Sequence, residues 1–248
     1  MSQGTVDWDL MAPQPQVGEA LYGRPSDFAL DRPSAVPSET ANQLTHGLGF
    51  LLGVAASVVM LSAVFARPDP PRVIGCLVYV ITLLGVYGAS TLSHSYQEPR
   101  RLNFYRMLDQ VCIFLFAAGS FTPFGMLHLR EGAWPLLLGT IWCLALLGAV
   151  ARIANGENSV ACRFFAVIGW LPVLAMGHVY ALSGLLGVGL VLGGGLAYTG
   201  GIWFLLNDHR HRYLHAVWHL CTITGSACHF FFLHWYVAEW PLRQVTGL

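Results

Sequence analysis

The chain has 248 residues and a formal net charge of zero, with 55% hydrophobic and only 10% charged residues. Soluble globular domains carry about 25% charged residues, so this composition excludes an ordinary soluble domain and leaves room for several membrane spans. The neutral charge balance gives no indication of nucleic-acid binding. The six cysteines show no CxxC spacing, so we expect neither a disulfide framework nor a thiolate metal site.

Residues 1–38 are polar and rich in proline, and they contain no basic segment followed by an apolar one. They therefore do not resemble a secretory signal peptide, and we expect a disordered cytoplasmic tail. Residues 39–240 are predicted to form the transmembrane domain, and residues 241–248 a short outer C-terminal tail.

The apolar segments that follow are each about 20 residues long, the length that an α-helix needs to cross a bilayer. We predict an all-α membrane protein with seven transmembrane helices, at about residues 42–66, 73–95, 107–129, 134–153, 161–182, 185–206 and 213–236. The boundary between the fifth and sixth spans is the least marked, because only Ser183 and Gly184 separate them. Pro123 and Pro172 are expected to kink the third and fifth spans.

The orientation follows from the thirteen basic residues, all of which are arginine. With the N-terminus inside, nine arginines lie near the inner ends of the spans and four near the outer ends. Because arginine and lysine accumulate on the cytoplasmic side, we predict a cytoplasmic N-terminus and an outer C-terminus in a multi-pass protein of the cell (inner) membrane. The segment 208–212 is then a solvated cytoplasmic turn.

His215 and His219 lie four residues apart near the start of the last apolar segment, so a helix places both on one face. Ionisable groups inside a membrane are costly and indicate a functional site by default. Taken alone, this pair fits packing and metal binding about equally. A lone intramembrane histidine is more often a hydrogen-bonded packing residue, and we expect that role for His128, His178 and His229.

Other polar residues are predicted to lie at the same depth, because consecutive spans alternate in direction. Four spans contribute to this layer near the cytoplasmic face: Glu39, Asn42 and His46 in the first, Ser90 and His94 in the second, Asp109 in the third, and His215 and His219 in the seventh. Three imidazoles with an open fourth position match a catalytic zinc site. The shared depth of His94 and the histidine pair therefore favours metal binding over packing.

The remaining polar residues of the layer can support such a site. Asp109 is either a hydrogen-bond partner of a metal ligand or the general base that accepts a proton from water, and Ser90 can hydrogen-bond the same water. Glu39 and Asn42 can hydrogen-bond the ligands, or they serve as a helix N-terminal acid and a bridge between helices. His46 is a rival metal ligand or a neighbour of one.

The ordered set of polar motifs is similar to that of a known family. The motifs are Glu39-x-x-Asn42-x-x-Thr45-His46, Ser90-x-x-x-His94, Asp109 and His215-x-x-x-His219. They resemble the haemolysin III branch of the progestin and adipoQ receptor family, whose wider superfamily includes alkaline ceramidases. The resemblance covers about residues 38–237. One departure is Gln110, where bacterial members often have histidine, so no role is carried over to this position.

The resemblance implies a seven-helix fold with Zn²⁺ bound near the cytoplasmic face by three histidines, which match His94, His215 and His219. It places the family aspartate at Asp109, near the metal, and the family serine at Ser90. Relatives are linked to the hydrolysis of lipid amides, particularly ceramide. The resemblance therefore implies a lipid substrate.

Our leading hypothesis is a zinc-dependent membrane hydrolase that acts on a lipid amide or ester, with membrane lipids as its partners. The alternative is a non-enzymatic receptor or sensor in which zinc joins two spans. A b-type haem site needs a second helix with matching histidines, which we do not find, and a retinal Schiff base needs lysine, which is absent. Proton transport explains three convergent imidazoles poorly. The sequence indicates no oligomeric state.

Overall fold

The computed structural model describes residues 35–155 and 167–240. Within these ranges the protein is all-helical, with α1 (Ala35–Ala66), α2 (Pro70–Ser93), α3 (Pro99–His128), α4 (Trp134–Asn155), α5 (Met176–Leu206) and α6 (Leu214–Leu233). A 3₁₀ turn, Leu171–Ala175, precedes α5, and a π-helical turn, His234–Ala238, follows α6. The predicted all-α class is therefore confirmed for the described residues.

Several predictions concern parts of the chain that lie outside the described residues. These parts are the N-terminal tail up to residue 34, the C-terminal tail at residues 241–248, and the beginning of the fifth predicted span with Cys162. The five cysteines inside the described ranges are all free thiols: Cys76, Cys112, Cys143, Cys221 and Cys228.

Two helices begin at an acidic residue that is followed by proline. Asp69 caps α2 by accepting a hydrogen bond from the backbone amide of Arg72, and Glu98 caps α3 by accepting from two amides of its first turn. Proline suits the first turn of a helix because the N–H that it lacks has no partner there. These caps fix the residues at which α2 and α3 begin, and the first turns of α3 lie in a polar segment.

The surface of the helices is apolar, unlike the surface of a soluble protein. Leu44, Leu136 and Leu185 are 67%, 71% and 78% exposed, and many other large apolar side chains lie outward along the helices. Six helices among the described residues are long and apolar enough to cross a bilayer. Exposed apolar surface of this extent is typical of contact with lipid.

The count of six differs from the predicted seven because the stretch Val167–Leu206 forms one run of 40 residues. This run is not straight, since Gly184 has φ 60 and ψ −155, a conformation essentially confined to glycine. The Trp170 Nε1 atom donates a hydrogen bond of 2.9 Å to Thr199 Oγ1, although 29 residues separate them. A straight helix would hold them about 40 Å apart, so the run folds back on itself near Gly184.

The two prolines predicted to kink spans lie in different surroundings. Pro172 falls in the 3₁₀ turn that precedes α5. Pro123 lies inside α3, and a Cβ atom added at Gly75 of α2 would be only 2.7 Å from its Cα. Glycine therefore permits α2 and α3 to pack closely at this point.

The packing of the helices decides which helix ends meet. α2 packs between α1 and α3, α4 packs on α3, and α6 packs against α5 and α1. At the end where α2 begins, the buried Arg72 donates hydrogen bonds to the carbonyl oxygens of Arg67 and Trp240 and so ties α2 to the turn after α6. The opposite end gathers the starts of α1, α3 and α6 and the end of α2.

Candidate metal centre

Three histidines lie together at this second end. His94 caps the C-terminus of α2, and His215 and His219 belong to the first turns of α6. The ring centroids are 5.1 Å apart between His94 and His215, 5.2 Å between His94 and His219, and 4.7 Å between His215 and His219. One nitrogen from each ring lies within 4.8 Å of the others, so the group can hold a metal ion.

Two of these rings are held by carboxylates at Nδ1. His94 Nδ1 lies 2.7 Å from Glu39 Oε2, and His215 Nδ1 lies 2.9 Å from Asp208 Oδ2. Because an ionised carboxylate only accepts hydrogen bonds, Nδ1 of each ring carries the proton and donates it. The lone pair is then on Nε2, the atom that is left for a metal.

The third ring is held at the same atom by α1. His219 Nδ1 lies 3.2 Å from the backbone oxygen of Asn42 and 2.9 Å from Thr45 Oγ1. A carbonyl oxygen can only accept, so His219 also carries its proton on Nδ1 and presents Nε2. All three imidazoles therefore have the tautomer that metal binding through Nε2 needs.

His46, the rival ligand, does not belong to this group. Its ring stacks on that of His219 with 3.6 Å between the centroids, and its Nε2 atom lies 3.3 Å from Thr222 Oγ1. The group of ligand atoms that can share one ion consists of the other three histidines. His46 is thus a packing neighbour of His219, and of its two predicted roles the structure favours a neighbour of a ligand over a ligand.

Asp109 lies about three turns into α3, close to the end of α2. Ser93 Oγ lies 3.5 Å from Asp109 Oδ2 and also donates a shorter hydrogen bond of 2.8 Å to the backbone oxygen of Ser90. Ser90, which is 1% exposed, is a second polar neighbour of this carboxylate. Asp109 lines the same cavity as Ser90, His215 and His219. The predicted pair of Asp109 and Ser90 therefore lies beside the histidine group, with the aspartate next to two hydroxyl residues of α2.

Two cavities meet at the histidine group. The larger one, of about 660 Å³, extends among α3, α5 and α6 and has a mainly apolar lining. The smaller one, of about 360 Å³, is polar and includes Glu39, Arg106, Asp208 and Arg212. His215 and Asp109 line both cavities. A ligand with an apolar chain and a polar head would therefore place its linkage beside the histidines.

Three hydrogen-bond partners in the site were missed from the sequence. Asp208 was expected in a solvated turn, but its carboxylate instead bonds His215, seven residues later. Thr45 and Ser93 were not assigned roles, although Ser93 is the neighbour of His94 and Thr45 lies one helical turn after Asn42. The only sequence signal for Asp208 was its position as an acid in the short turn that precedes the histidine pair.

The histidines predicted to be packing residues have such contacts. His128 Nε2 lies 2.9 Å from the backbone oxygen of Tyr236, and His229 Nε2 lies 3.2 Å from that of Val191. His178 packs edge-on against a tryptophan ring, with 4.5 Å between the centroids. None of the three belongs to the histidine group that can share one ion.

Comparison with known proteins gives the family. A family model described as haemolysin-III related matches residues 34–230, well over half of the chain. The chain belongs to the haemolysin III family. It is 32% identical to Hemolysin-3 of Bacillus cereus over 204 residues, which cover 82% of this chain and 93% of that protein.

Other members extend the likeness. The chain is 30% identical over 212 residues to the Hemolysin-3 homolog of Bacillus subtilis (strain 168), covering 83% of this chain and 97% of the homolog. It is also 30% identical over 149 residues to the monocyte to macrophage differentiation factor of Rattus norvegicus, covering 58% and 60%. The predicted haemolysin III branch of the progestin and adipoQ receptor family is thus confirmed. Family and helices together make this haemolysin III protein a multi-pass membrane protein.

Proposed function

We propose that this member of the haemolysin III family is a zinc-dependent membrane hydrolase of lipid amide (ceramide-like) or ester bonds. One observation carries the proposal: three imidazoles converge where an apolar cavity meets a polar one, and each has a hydrogen-bond partner at Nδ1, which leaves Nε2 for a metal. Three imidazole ligands with an open fourth position suit catalytic zinc.

The donor set fits this metal. The ligands would be His94, His215 and His219, and the hydrogen-bond partners at Nδ1 hold the three rings in an orientation in which neutral imidazoles can share one ion. A zinc ion bound there supplies a Lewis acid that polarises a carbonyl oxygen and lowers the pKa of water to about 7.

The chain itself supplies the proton transfer. Asp109 accepts a proton from water, and its carboxylate lies beside the hydroxyl groups of Ser90 and Ser93. The water oxygen adds to the carbonyl carbon of the lipid, and the C–N or C–O bond breaks. The proton that Asp109 holds then goes to the leaving nitrogen or oxygen, and the carboxylate is restored.

The two cavities bind the two halves of the substrate. The apolar cavity takes an acyl chain, whose burial is favourable by about 0.8 kcal/mol per methylene group. The polar cavity takes the head of the lipid, and its carboxylates and arginines can hydrogen-bond hydroxyl, amine or phosphate groups. The partner of this protein is therefore a lipid of the surrounding membrane.

In the membrane we propose seven crossings, a cytoplasmic N-terminus and an outer C-terminus, with the metal centre near the inner face of the cell membrane. The fold-back near Gly184 supports the count, because it divides a run that is too long for one crossing into two. The arginines support the orientation, since Arg106 and Arg212 line the polar cavity at the end of the bundle that holds the site.

An assay of the purified protein tests the activity. Wild type should release fatty acid from ceramides or other acyl amides and esters, and a strong chelator should abolish the release. Asp109→Asn should lose at least 100-fold in rate while it keeps its metal, since a general base contributes about that factor. Glu131→Gln, an exposed acid in the loop after α3, is the matched control and should keep full activity. Turnover without metal, or none on any acyl lipid, would contradict the proposal.

A non-enzymatic receptor is the second candidate, because the same ligands join the end of α2 to the start of α6. A metal that links two helices stabilises the folded state without any chemistry. One metal ion per chain, a lower Tm in His94→Ala and no turnover of any lipid would favour this function over the hydrolase.

A further inference from the structure

The apolar cavity contains a polar patch on its wall, away from the metal centre. Three hydroxyls from three helices form it: Tyr87 of α2, Tyr198 of α5 and Ser226 of α6. Tyr87 Oη donates a hydrogen bond of 2.8 Å to Ser226 Oγ, and Tyr198 Oη lies 2.8 Å from the same oxygen. We call these three residues the hydroxyl cluster.

The hydroxyl cluster has three hydroxyl protons but only two hydrogen bonds between its members. Tyr87 donates its proton to Ser226. The contact between Tyr198 and Ser226 has two arrangements: Tyr198 donates and the Ser226 proton is left over, or Ser226 donates and the Tyr198 proton is left over. In both, one O–H group has no acceptor among the hydrogen bonds of the described residues. A buried donor without an acceptor is costly, so this group favours a ligand that brings an oxygen atom.

The cluster lies at a defined distance from the metal centre. Ser226 follows His219 by seven residues on α6, which places the two on one face about 10 Å apart along the helix axis. Thr222, between them on this face, contacts His46. His219, Thr222 and Ser226 all line the apolar cavity. A lipid chain that extends from the histidine group along α6 therefore passes the hydroxyl cluster.

We propose that the hydroxyl cluster recognises a hydroxyl group on the lipid chain, about 10 Å from the linkage that lies at the metal centre. The preferred ligand is thus a hydroxylated acyl lipid rather than a plain one. The free O–H group donates to the oxygen of the lipid hydroxyl, and the lipid hydroxyl donates to a lone pair of a tyrosine oxygen. This proposal depends on the proposed function in one respect: the proposed function places the linkage of the lipid at the histidine group.

A binding experiment that needs no turnover tests this. Saturated fatty acids of one chain length, either plain or with one hydroxyl at successive positions, compete against a fluorescent fatty acid for metal-loaded protein in detergent. The triple variant Tyr87→Phe/Tyr198→Phe/Ser226→Ala lacks the hydroxyl cluster. Wild type should bind one or two adjacent mid-chain hydroxy isomers about fivefold more tightly than this variant does, because one neutral hydrogen bond contributes about that factor to affinity. Both proteins should bind the plain acid equally.

The triple variant removes all three hydroxyls and keeps the ring volumes, so that no polar group is left unpaired and folding is little affected. Tyr180→Phe/Thr224→Ala is the matched control, because it removes a phenol and an aliphatic hydroxyl from exposed positions outside the cavity. It should keep the wild-type preference. The partitioning of each fatty acid into detergent micelles is the same for every protein, because all are measured in the same detergent, so it does not affect the comparison.

Three results would overturn the proposal: equal wild-type affinity for all isomers, an unchanged preference in the triple variant, or no binding of any fatty acid. A protein that shows the preference but hydrolyses nothing would contradict the hydrolase alone. A protein that hydrolyses plain and hydroxylated chains equally, with equal affinities, would contradict the hydroxyl recognition alone.

Discussion

At the level of single residues, the Nδ1 partners decide what the three histidines can do. A carboxylate beside a metal-binding histidine fixes the ring and makes Nε2 more basic. Glu39 does this for His94, and Asp208 does it for His215. The metal affinity of the proposed site should therefore depend on residues that do not touch the metal.

Replacing Glu39 with glutamine should weaken zinc binding by about 10-fold to 100-fold, the usual effect of losing such a partner. The amide keeps the shape of the side chain but loses its charge, and it no longer selects one tautomer of His94. Competition with a coloured chelator measures the affinity, and Asp208→Asn should behave in the same way.

Glu131→Gln is the control for this series, because Glu131 is an exposed acid remote from the histidine group. It should bind zinc like the wild type. If Glu39→Gln and Glu131→Gln bind zinc with equal affinity, the carboxylate does not support the ligand.

The site residues differ in how far the sequence could predict them. His94 and His215 were predictable as neighbours, because both lie at span ends on the same side. Asp208 was not, since its contact depends on how the turn before α6 directs one side chain. The stacking of His46 on His219 was not predictable either, because depth alone does not say which rings share an ion and which pack against each other.

At the level of elements, the sequence predicted where apolar helices cross but not where helices begin. α3 starts at Pro99 rather than near residue 107, since the cap at Glu98 begins the helix in a polar segment that hydropathy does not detect. In the sequence, the fold-back near Gly184 was indicated only by the short break at Ser183 and Gly184. Its backbone conformation, with positive φ, is what turns the chain.

Gly184→Ala should destabilise the protein by about 1–3 kcal/mol, the cost of a non-glycine residue in this region of φ and ψ. A Cβ atom there would meet nothing within 4 Å, so the effect comes from the backbone alone. Thermal unfolding in detergent measures it.

Gly189→Ala is the matched control, since Gly189 is equally uncrowded but lies within regular α5. Alanine favours helix at such a site, so its Tm should stay the same or rise. Equal Tm values for the two variants would contradict a backbone turn at Gly184.

At the level of the whole molecule, one polar end and an apolar outer surface support the proposed orientation in the membrane. The histidine group and the polar cavity share the end that is rich in arginine. The proposed topology thus puts the reacting groups next to the inner headgroup layer, where water and lipid linkages both occur.

Fusions to a reporter enzyme that is active only outside the cytoplasm test this topology. Fusion after Gly184 or after Trp240 should be active, because five or seven crossings precede the reporter. Fusion after Leu206 should be inactive. With only six crossings and the same N-terminus, the reporter after Trp240 would be inactive, which would contradict the proposed topology.

The metal content of the purified protein tests the central claim most directly. Elemental analysis should find one zinc ion per chain in the wild type and in His178→Ala, whose ring packs far from the group on a tryptophan. His219→Ala should retain close to none, since two imidazoles hold zinc much more weakly than three. Wild-type protein without stoichiometric metal, or His219→Ala with the same content as the wild type, would contradict the account.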